Sequence, residues 1–365
     1  MLTEFYVMIS VRSFALEMIQ IFLPVYVFSL RMSVFDLFIF LFFTFFSLSI
    51  FFPLAARVVS RIGNAHTMLL STPFTILFFA VLYFFNPLSI GLPLIGLIYG
   101  FGEAFFWMAF HDEFSIISQS KKMGSEVGLY KSITIIAKIL GPLFGGLLIL
   151  FFGFGPLFLL IIVLMVLALI PLLSTQDIKS KKKFDPSKVY TKKNLALAKP
   201  IIGYGAASLA TAWLWPLFVF LLLTGYLELG LLAVMVNIIT IIGIFVIGFK
   251  ADHINKRKLV KAGSILFSST VILRVFSRTA LHATAAWFFG ALTWPLLDVP
   301  FEAITYEKSK HMDKLEFFVA REHFLFIGRM VVLGVLLAFI SLPVMTALSI
   351  AIFAGGILTT LYWFV

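Results

Sequence analysis

The sequence predicts an all-α membrane protein with twelve transmembrane helices in two pseudo-symmetric six-helix bundles. Three observations carry this: an apolar composition, the length of the apolar runs, and an echo between the two halves of the chain. Of 365 residues, 61% are hydrophobic and 12% charged, and the mean hydropathy is +1.09. Soluble domains carry about 45–50% apolar and about 25% charged residues. A surface this apolar would be adhesive in water, so lipid is the solvent that suits it. The runs are unbroken, whereas barrel strands alternate polar and apolar over about ten residues. The spans are therefore helices.

A helix needs about 20 apolar residues to cross the hydrocarbon core. The first run, 5–29, carries Ser13, Glu17, Gln20 and Pro24 at three- and four-residue steps, which makes one stripe. The second, 34–57, ends on basic residues, and the third is 66–85. The fourth, 90–111, aligns Tyr99, Glu103, Trp107 and His111. The fifth, 128–152, aligns Lys131, Thr134 and Lys138, and the sixth is 157–173. Residues 174–199 are polar, include Lys181-Lys182-Lys183, and fall near the middle of the chain, so they read as a linker between 1–173 and 200–365. The seventh run, 200–224, aligns Tyr204, Ser208, Thr211 and Trp215; the eighth is 230–250 and the ninth 259–279. The tenth, 283–304, aligns Trp287, Ala291, Trp294 and Asp298. The eleventh, 317–341, places Glu322 and Arg329 seven apart, and the twelfth is 344–365.

The net charge is +11, yet its placement excludes nucleic acid as the partner. Arg31 and Arg278 lie on one side, and Arg12, Lys138, Arg274 and Arg329 lie within spans. The other Lys and Arg residues gather at the opposite side or within about a turn of it. Basic loops mark the cytoplasm, so both termini are expected there, in a plasma (inner) membrane. The lysine run reads as an orientation signal in contact with anionic lipid. The apolar N-terminus lacks a small-residue cleavage site and reads as a full span rather than a signal peptide. With no cysteine, disulfides, thiolate metal sites and palmitoylation are excluded.

The halves echo each other. Trp107-Met-Ala-Phe-His111-Asp-Glu-Phe114 matches Trp294-Pro-Leu-Leu-Asp298-Val-Pro-Phe301 at one constant offset, and Gly141 matches Gly328 at the same offset. After the eighth span comes Gly248-Phe-Lys-Ala-Asp252-His253-Ile-Asn255-Lys256-Arg257-Lys258. In the fifth span Gly128 and Ala137 lead to Gly141-Pro142-Leu-Phe-Gly145-Gly146. Together these features resemble the major facilitator superfamily of transporters, across essentially the whole chain. The loop resembles the family's Gly–Asp–basic motif, in which an acid at a helix end clasps a neighbouring helix. Its first-half counterpart is eroded: Arg57 and Arg61-Ile-Gly63-Asn64 remain, with Ala56 and Ser60 in the Gly and Asp places. The fifth-span glycines resemble the antiporter motif of the family's drug exporters. Glycines four apart bring helices close, and Pro142 bends the helix. The exporters' arginine in the fourth span has no equivalent; Glu103 is the central charge there.

Glu17, Glu103, Lys138 and Arg329 fall near mid-span. Each charge at the membrane centre costs roughly 3 kcal/mol on insertion scales, so they are expected to pair, lose charge or face water. Two acids and two bases suggest Glu17 and Glu103 opposite Lys138 and Arg329, without assigning partners. The resemblance implies that spans one, four, seven and ten face a central cavity, flanked by five and eleven. The candidate solute and proton site is Glu17, Gln20, Glu103, Trp107, Lys138, Trp215, Trp294, Asp298 and Arg329. The candidate moving parts are Gly248, Asp252, Lys256, Arg257, Gly141, Pro142, Gly145 and Gly146. Glu302, Glu307, Glu316, Arg321 and Glu322 read as salt bridges of an inner gate.

The expected function is alternating-access transport of a small organic solute, as proton-coupled efflux. Uptake of a nutrient or anionic solute, and a lipid flippase or scramblase on the same fold, are the competing readings. An enzyme is not expected. The six histidines show no pair three or four apart on a helix, and there is no Walker loop or nucleophile elbow. No cofactor is expected beyond an ion gradient of H+. The expected partners are the bilayer and a small molecule, with the chain a monomer.

Overall fold

The computed structural model describes residues 2–31, 33–84, 91–117, 123–173, 183–251 and 254–365. Lys181, Lys182, Asp252 and His253 lie outside the described residues. The first span is Leu2–Gln20 followed, after a break with Pro24 in the opening turn, by Leu23–Ser29. Spans two to six are Val34–Ile62, Asn64–Tyr83, Leu92–Ile117, Met123–Phe152 and Phe154–Leu173. The seventh runs Ala198–Leu209, a π turn Ala210–Leu214, then Trp215–Leu223. Spans eight to twelve are Tyr226–Ala251, Lys256–Leu273, Ala280–Ser309, Lys314–Ala338 and Val344–Thr359. Among the described residues nine helices are long and apolar enough to cross a membrane. The fifth, tenth and eleventh are not among the nine. They are the spans that carry Lys138, Asp298, Glu302, Arg321, Glu322 and Arg329 into the bundle.

Caps set the ends. The Ser33 hydroxyl accepts from the Asp36 amide, Thr279 from His282, and Asn255 from Arg257 and Lys258. Each satisfies an amide that a helix start would otherwise strand. Gly63, at φ 93°, makes the turn between the second and third spans. Within the linker, the hydroxyl and amide of Ser187 hold the Asp185 carboxyl below the ordinary carboxylate range. The Asp185 amide donates to Glu316 Oε1 at 2.6 Å, which ties the linker to the start of the eleventh span.

Packing follows a two-fold rule. Span one packs on five and six, as seven packs on eleven and twelve. Two packs on four, as eight packs on ten. Three packs on four and six, as nine packs on ten and twelve. Across the halves, five packs on eight and two on eleven. These paired contacts define two related six-helix bundles. Glycines of spans five and eleven bring those spans into close approach with spans one and seven. A Cβ on Gly145 would overlap the Met18 carbonyl oxygen, and one on Gly328 would overlap that of Ile202. Small residues at such crossings are how membrane helices pack without hydrophobic drive between them.

We expect Gly145→Ala and Gly328→Ala each to destabilise the detergent-solubilised protein by about 1–3 kcal/mol through overpacking. Gly334, with nothing near its would-be Cβ, is the control, and G334A should hold or raise stability by up to about 1 kcal/mol. Thermal unfolding followed by tryptophan fluorescence checks all three.

Candidate solute site

A cavity of about 480 Å³ lies between the two bundles. Its wall takes residues from spans one, two, four, five, seven, eight, nine, ten and eleven. Ser13, Glu17 and Gln20 of the first-span stripe line it, with Trp107 and His111 of the fourth, and Thr134 and Lys138 of the fifth. Tyr204, Ser208 and Thr211 of the seventh line it too, with Trp287, Ala291, Trp294 and Asp298 of the tenth, and Glu322 and Arg329 of the eleventh.

The buried charges are resolved into pairs. Lys138 Nζ lies 3.3 Å from Glu17 Oε1. This contact follows from backbone proximity: a Cβ on Gly141 would sit 2.8 Å from the backbone of Glu17, so Lys138, nearly a turn earlier, reaches across. Glu103 pairs with Arg12, whose guanidinium also stacks 3.5 Å over the Phe106 ring. Trp107 Nε1 donates to the other Glu103 oxygen at 2.8 Å. Arg329 Nη1 donates to Glu322 Oε1 at 2.6 Å, within one helix. The suggested set of two acids opposite two bases is therefore corrected. Only Glu17–Lys138 forms from it, because two further charges, Arg12 and Glu322, sit nearer to Glu103 and Arg329. Glu103 is also one layer behind the cavity wall, with Arg12 in front.

Trp215 is a second correction. It is fully buried, stacks on Phe218 and does not line the cavity. The reason is the π turn Ala210–Leu214. Five residues per hydrogen-bonded turn insert one residue beyond the α repeat, so the Tyr204–Ser208–Thr211 stripe continues through Ala212 and Trp215 is turned into the core.

At the end of the bundle that carries the linker, spans four, ten and eleven meet across the halves. Arg321 Nη1 lies 3.0 Å from His111 Nε2, and His111 Nδ1 lies 2.7 Å from the Tyr306 hydroxyl. A guanidinium only donates. Nε2 therefore accepts, and Nδ1 carries the proton toward Tyr306, so this geometry requires a neutral imidazole. Arg321 also lies 3.9 Å from Glu302, and the Ser115 and Ser309 hydroxyls meet at 3.1 Å. The Tyr204 hydroxyl donates to Asp298 at 3.3 Å and to Glu302 at 3.4 Å. The five residues read as one gate cluster divide among partners: Glu302 with Arg321, Glu322 with Arg329, Glu316 with the linker, and Glu307 with Lys256.

The moving-part candidates are placed as follows. Gly248 is buried and Asp252 lies outside the described residues. Lys256, at the start of span nine, is held by Glu307 at the end of span ten. Arg257 contributes its amide to the Asn255 cap. In the first half the equivalent tie is Asn64 to Asp112 at 3.1 Å; a neutral donor replaces the cation. Gly141 and Gly145 pack on span one, while the Pro142 carbonyl and Gly146 pack on span eight of the other half at Gly230 and Tyr226. Sequence reasoning left Arg12, Arg274, Asn237 and Tyr306 without roles. Asn237 Nδ2 donates to the Lys138 carbonyl at 2.7 Å, which joins the halves beside the Glu17 pair. Arg12 had a signal: it directly precedes Ser13 of the polar stripe.

Membrane-crossing helices around a charged central cavity, in two bundles related by a two-fold rule, are the architecture of a membrane transporter. Residues 5–294 match the Major Facilitator Superfamily, and the chain belongs to that family. A Bacillus subtilis (strain 168) protein, the uncharacterized YqgE, is 24% identical over 323 residues, which is 84% of this chain and 75% of YqgE. The fold is similar to that of the human organic anion transporter MFSD10, with a TM-score of 0.72, 12% identity, and 99% and 97% of the two chains covered. It is also similar to the E. coli fucose:proton symporter FucP, with a TM-score of 0.71, 12% identity and the same coverage.

Replacing Arg12 by Met should cost roughly 3–5 kcal/mol, because it strands the Glu103 carboxylate. The double variant R12M/E103Q should recover most of that loss. Chemical or thermal unfolding of both variants measures the coupling; equal destabilisation would refute the pair.

Proposed function

We propose that this protein exports a small organic solute in exchange for protons, with residues 1–173 rocking against 200–365 around the central cavity. The observation that supports it best is the Glu17–Lys138 pair on the cavity wall. Lys138 keeps 40% of its side chain exposed there, while the Glu17 side chain is 11% exposed. An ionised Glu17 is held by Lys138. A proton on Glu17 removes the attraction, frees the ammonium and changes which solute charge the wall accepts. Solute and proton then compete for one acid, which is the simplest form of exchange. Intramembrane ionisable residues beside a cavity carry this kind of coupling.

The direction rests on the fifth span. Its Gly141–Gly146 segment wedges between span one of its own half and span eight of the other, where a bent helix can seal one face of the cavity. At the linker end, which we assign to the cytoplasm from its basic residues, opening must part His111 from Tyr306 and Arg321, and Ser115 from Ser309. Uptake of an anionic solute is the second reading. It is favoured by the exposed Lys138 ammonium and by the activities of the two structural neighbours, an organic anion transporter and a proton symporter.

Two experiments test this. In proteoliposomes with an imposed pH gradient, solute counterflow should persist in Glu17→Gln while acceleration by the gradient is lost; unchanged acceleration would remove Glu17 as the coupling acid. The chain has no cysteine, so S115C/S309C supplies a single crosslinkable pair. Oxidation should stop transport, and reduction should restore it. Full transport by the oxidised protein would rule out opening at that end.

A further inference from the structure

Arg274 differs from every other described cation on the cavity wall. Arg12, Lys138, Arg321 and Arg329 each face a carboxylate. Arg274 is 2% exposed, lines the cavity, and among the described residues has no carboxylate partner; its Nε and Nη1 lack any hydrogen-bond acceptor. It opens the 3-10 turn Arg274–Phe276 at the end of span nine, which packs behind span ten. Its route inward is Gly290: a Cβ there would sit 2.6 Å from Arg274 Nη2, and Gly290 also lines the cavity. The missing side chain is a window through which a peripheral helix presents its guanidinium. The guanidinium lies over Trp215, 4.7 Å from the ring, and Trp215 Nε1 likewise has no acceptor. The cluster is therefore all donors. Cation–π attraction alone does not offset the desolvation of a buried guanidinium.

We infer that Arg274, reaching through the Gly290 window, is the oxyanion subsite of the cavity and that the solute is a carboxylate with an aromatic body. A guanidinium matches a carboxylate in a two-bond fork. The aromatic body follows from Trp287, Trp294 and Phe267, which line the same cavity, the last two with rings 4.8 Å apart. One anionic group suffices, because the other cations are already paired. This deepens the transporter reading and relies on it only for what the cavity is for.

The test uses the full chain in nanodiscs with indole-3-acetate, its neutral amide indole-3-acetamide, and phenyl phosphate. The acid should raise the melting temperature and bind about 10- to 100-fold more tightly than the amide, the range expected for hydrogen bonds to a charged group. Arg274→Gln should abolish that preference while raising the melting temperature of the ligand-free protein, since an uncompensated cation is gone; a merely structural arginine would lower it. Gly290→Ala, which crowds Nη2, should weaken the acid and leave the amide unchanged. Tighter binding of phenyl phosphate than of the acid would overturn the carboxylate assignment. No preference for the acid in the wild-type protein, or an undiminished preference in both variants, would overturn the subsite. Selective binding without any movement of indole-3-acetate into proteoliposomes would instead count against the transporter reading and leave the subsite standing.

Discussion

An ionised side chain at membrane depth needs a partner within a few ångströms, and this requirement organises the interior of the molecule. At roughly 3 kcal/mol for each exposed charge on insertion scales, the charges on the cavity wall would together rival the whole stability of a domain, about 5–15 kcal/mol. The partners are supplied by close helix approach. Gly141 brings span one against span five, and Lys138 then meets Glu17. Arg12 crosses from span one to Glu103 on span four. Arg321 joins Glu302 of span ten and His111 of the other half. Packing and electrostatics are thus one problem here: glycines set the spacing that lets the charges compensate each other, and compensation lets a charge-lined cavity exist at that depth.

The two halves repeat geometry without repeating chemistry. Gly141 packs on span one as Gly328 packs on span seven. Yet the first-half crossing holds an acid and a base, Glu17 and Lys138, whereas the residues at the matching positions are Tyr204 and Leu325. Tyr204 instead hydrogen-bonds Asp298 and Glu302 within the second half. The chemistry also differs where the third and ninth spans begin, with a neutral donor in Asn64–Asp112 of the first half and an ion pair in Lys256–Glu307 of the second. A symmetric frame with unequal linings lets each half hold charge in pairs at positions that do not correspond, Glu17–Lys138 in the first and Glu302–Arg321 and Glu322–Arg329 in the second.

The frame was legible in the sequence because hydrophobic length and basic loops are one-dimensional signals. The twelve runs, the central linker and the constant offset between the halves all read directly from residue order. The stripes of spans one, four, five and ten also placed Glu17, Gln20, Trp107, Lys138, Trp294 and Asp298 on the wall, because helical periodicity alone decides which side a residue takes. Partner choice was not legible. Arg12 lies 91 positions from Glu103, and nothing local to either residue reports their meeting. Arg274 was hidden for another reason: it sits at the end of a span that is not among those expected to border the cavity, and only an absent side chain on a different helix lets it in.

The seventh span carries one lesson for any later residue-by-residue survey. Because Ala210–Leu214 forms a π turn, the two segments of that helix are out of phase by one position. A cysteine or alanine scan interpreted as a single continuous wheel would assign accessible and inaccessible faces correctly up to Leu209 and wrongly from Trp215 onward. The scan has to be plotted as two separate wheels, each with its own origin, for the accessibility pattern of Trp215–Leu223 to make physical sense.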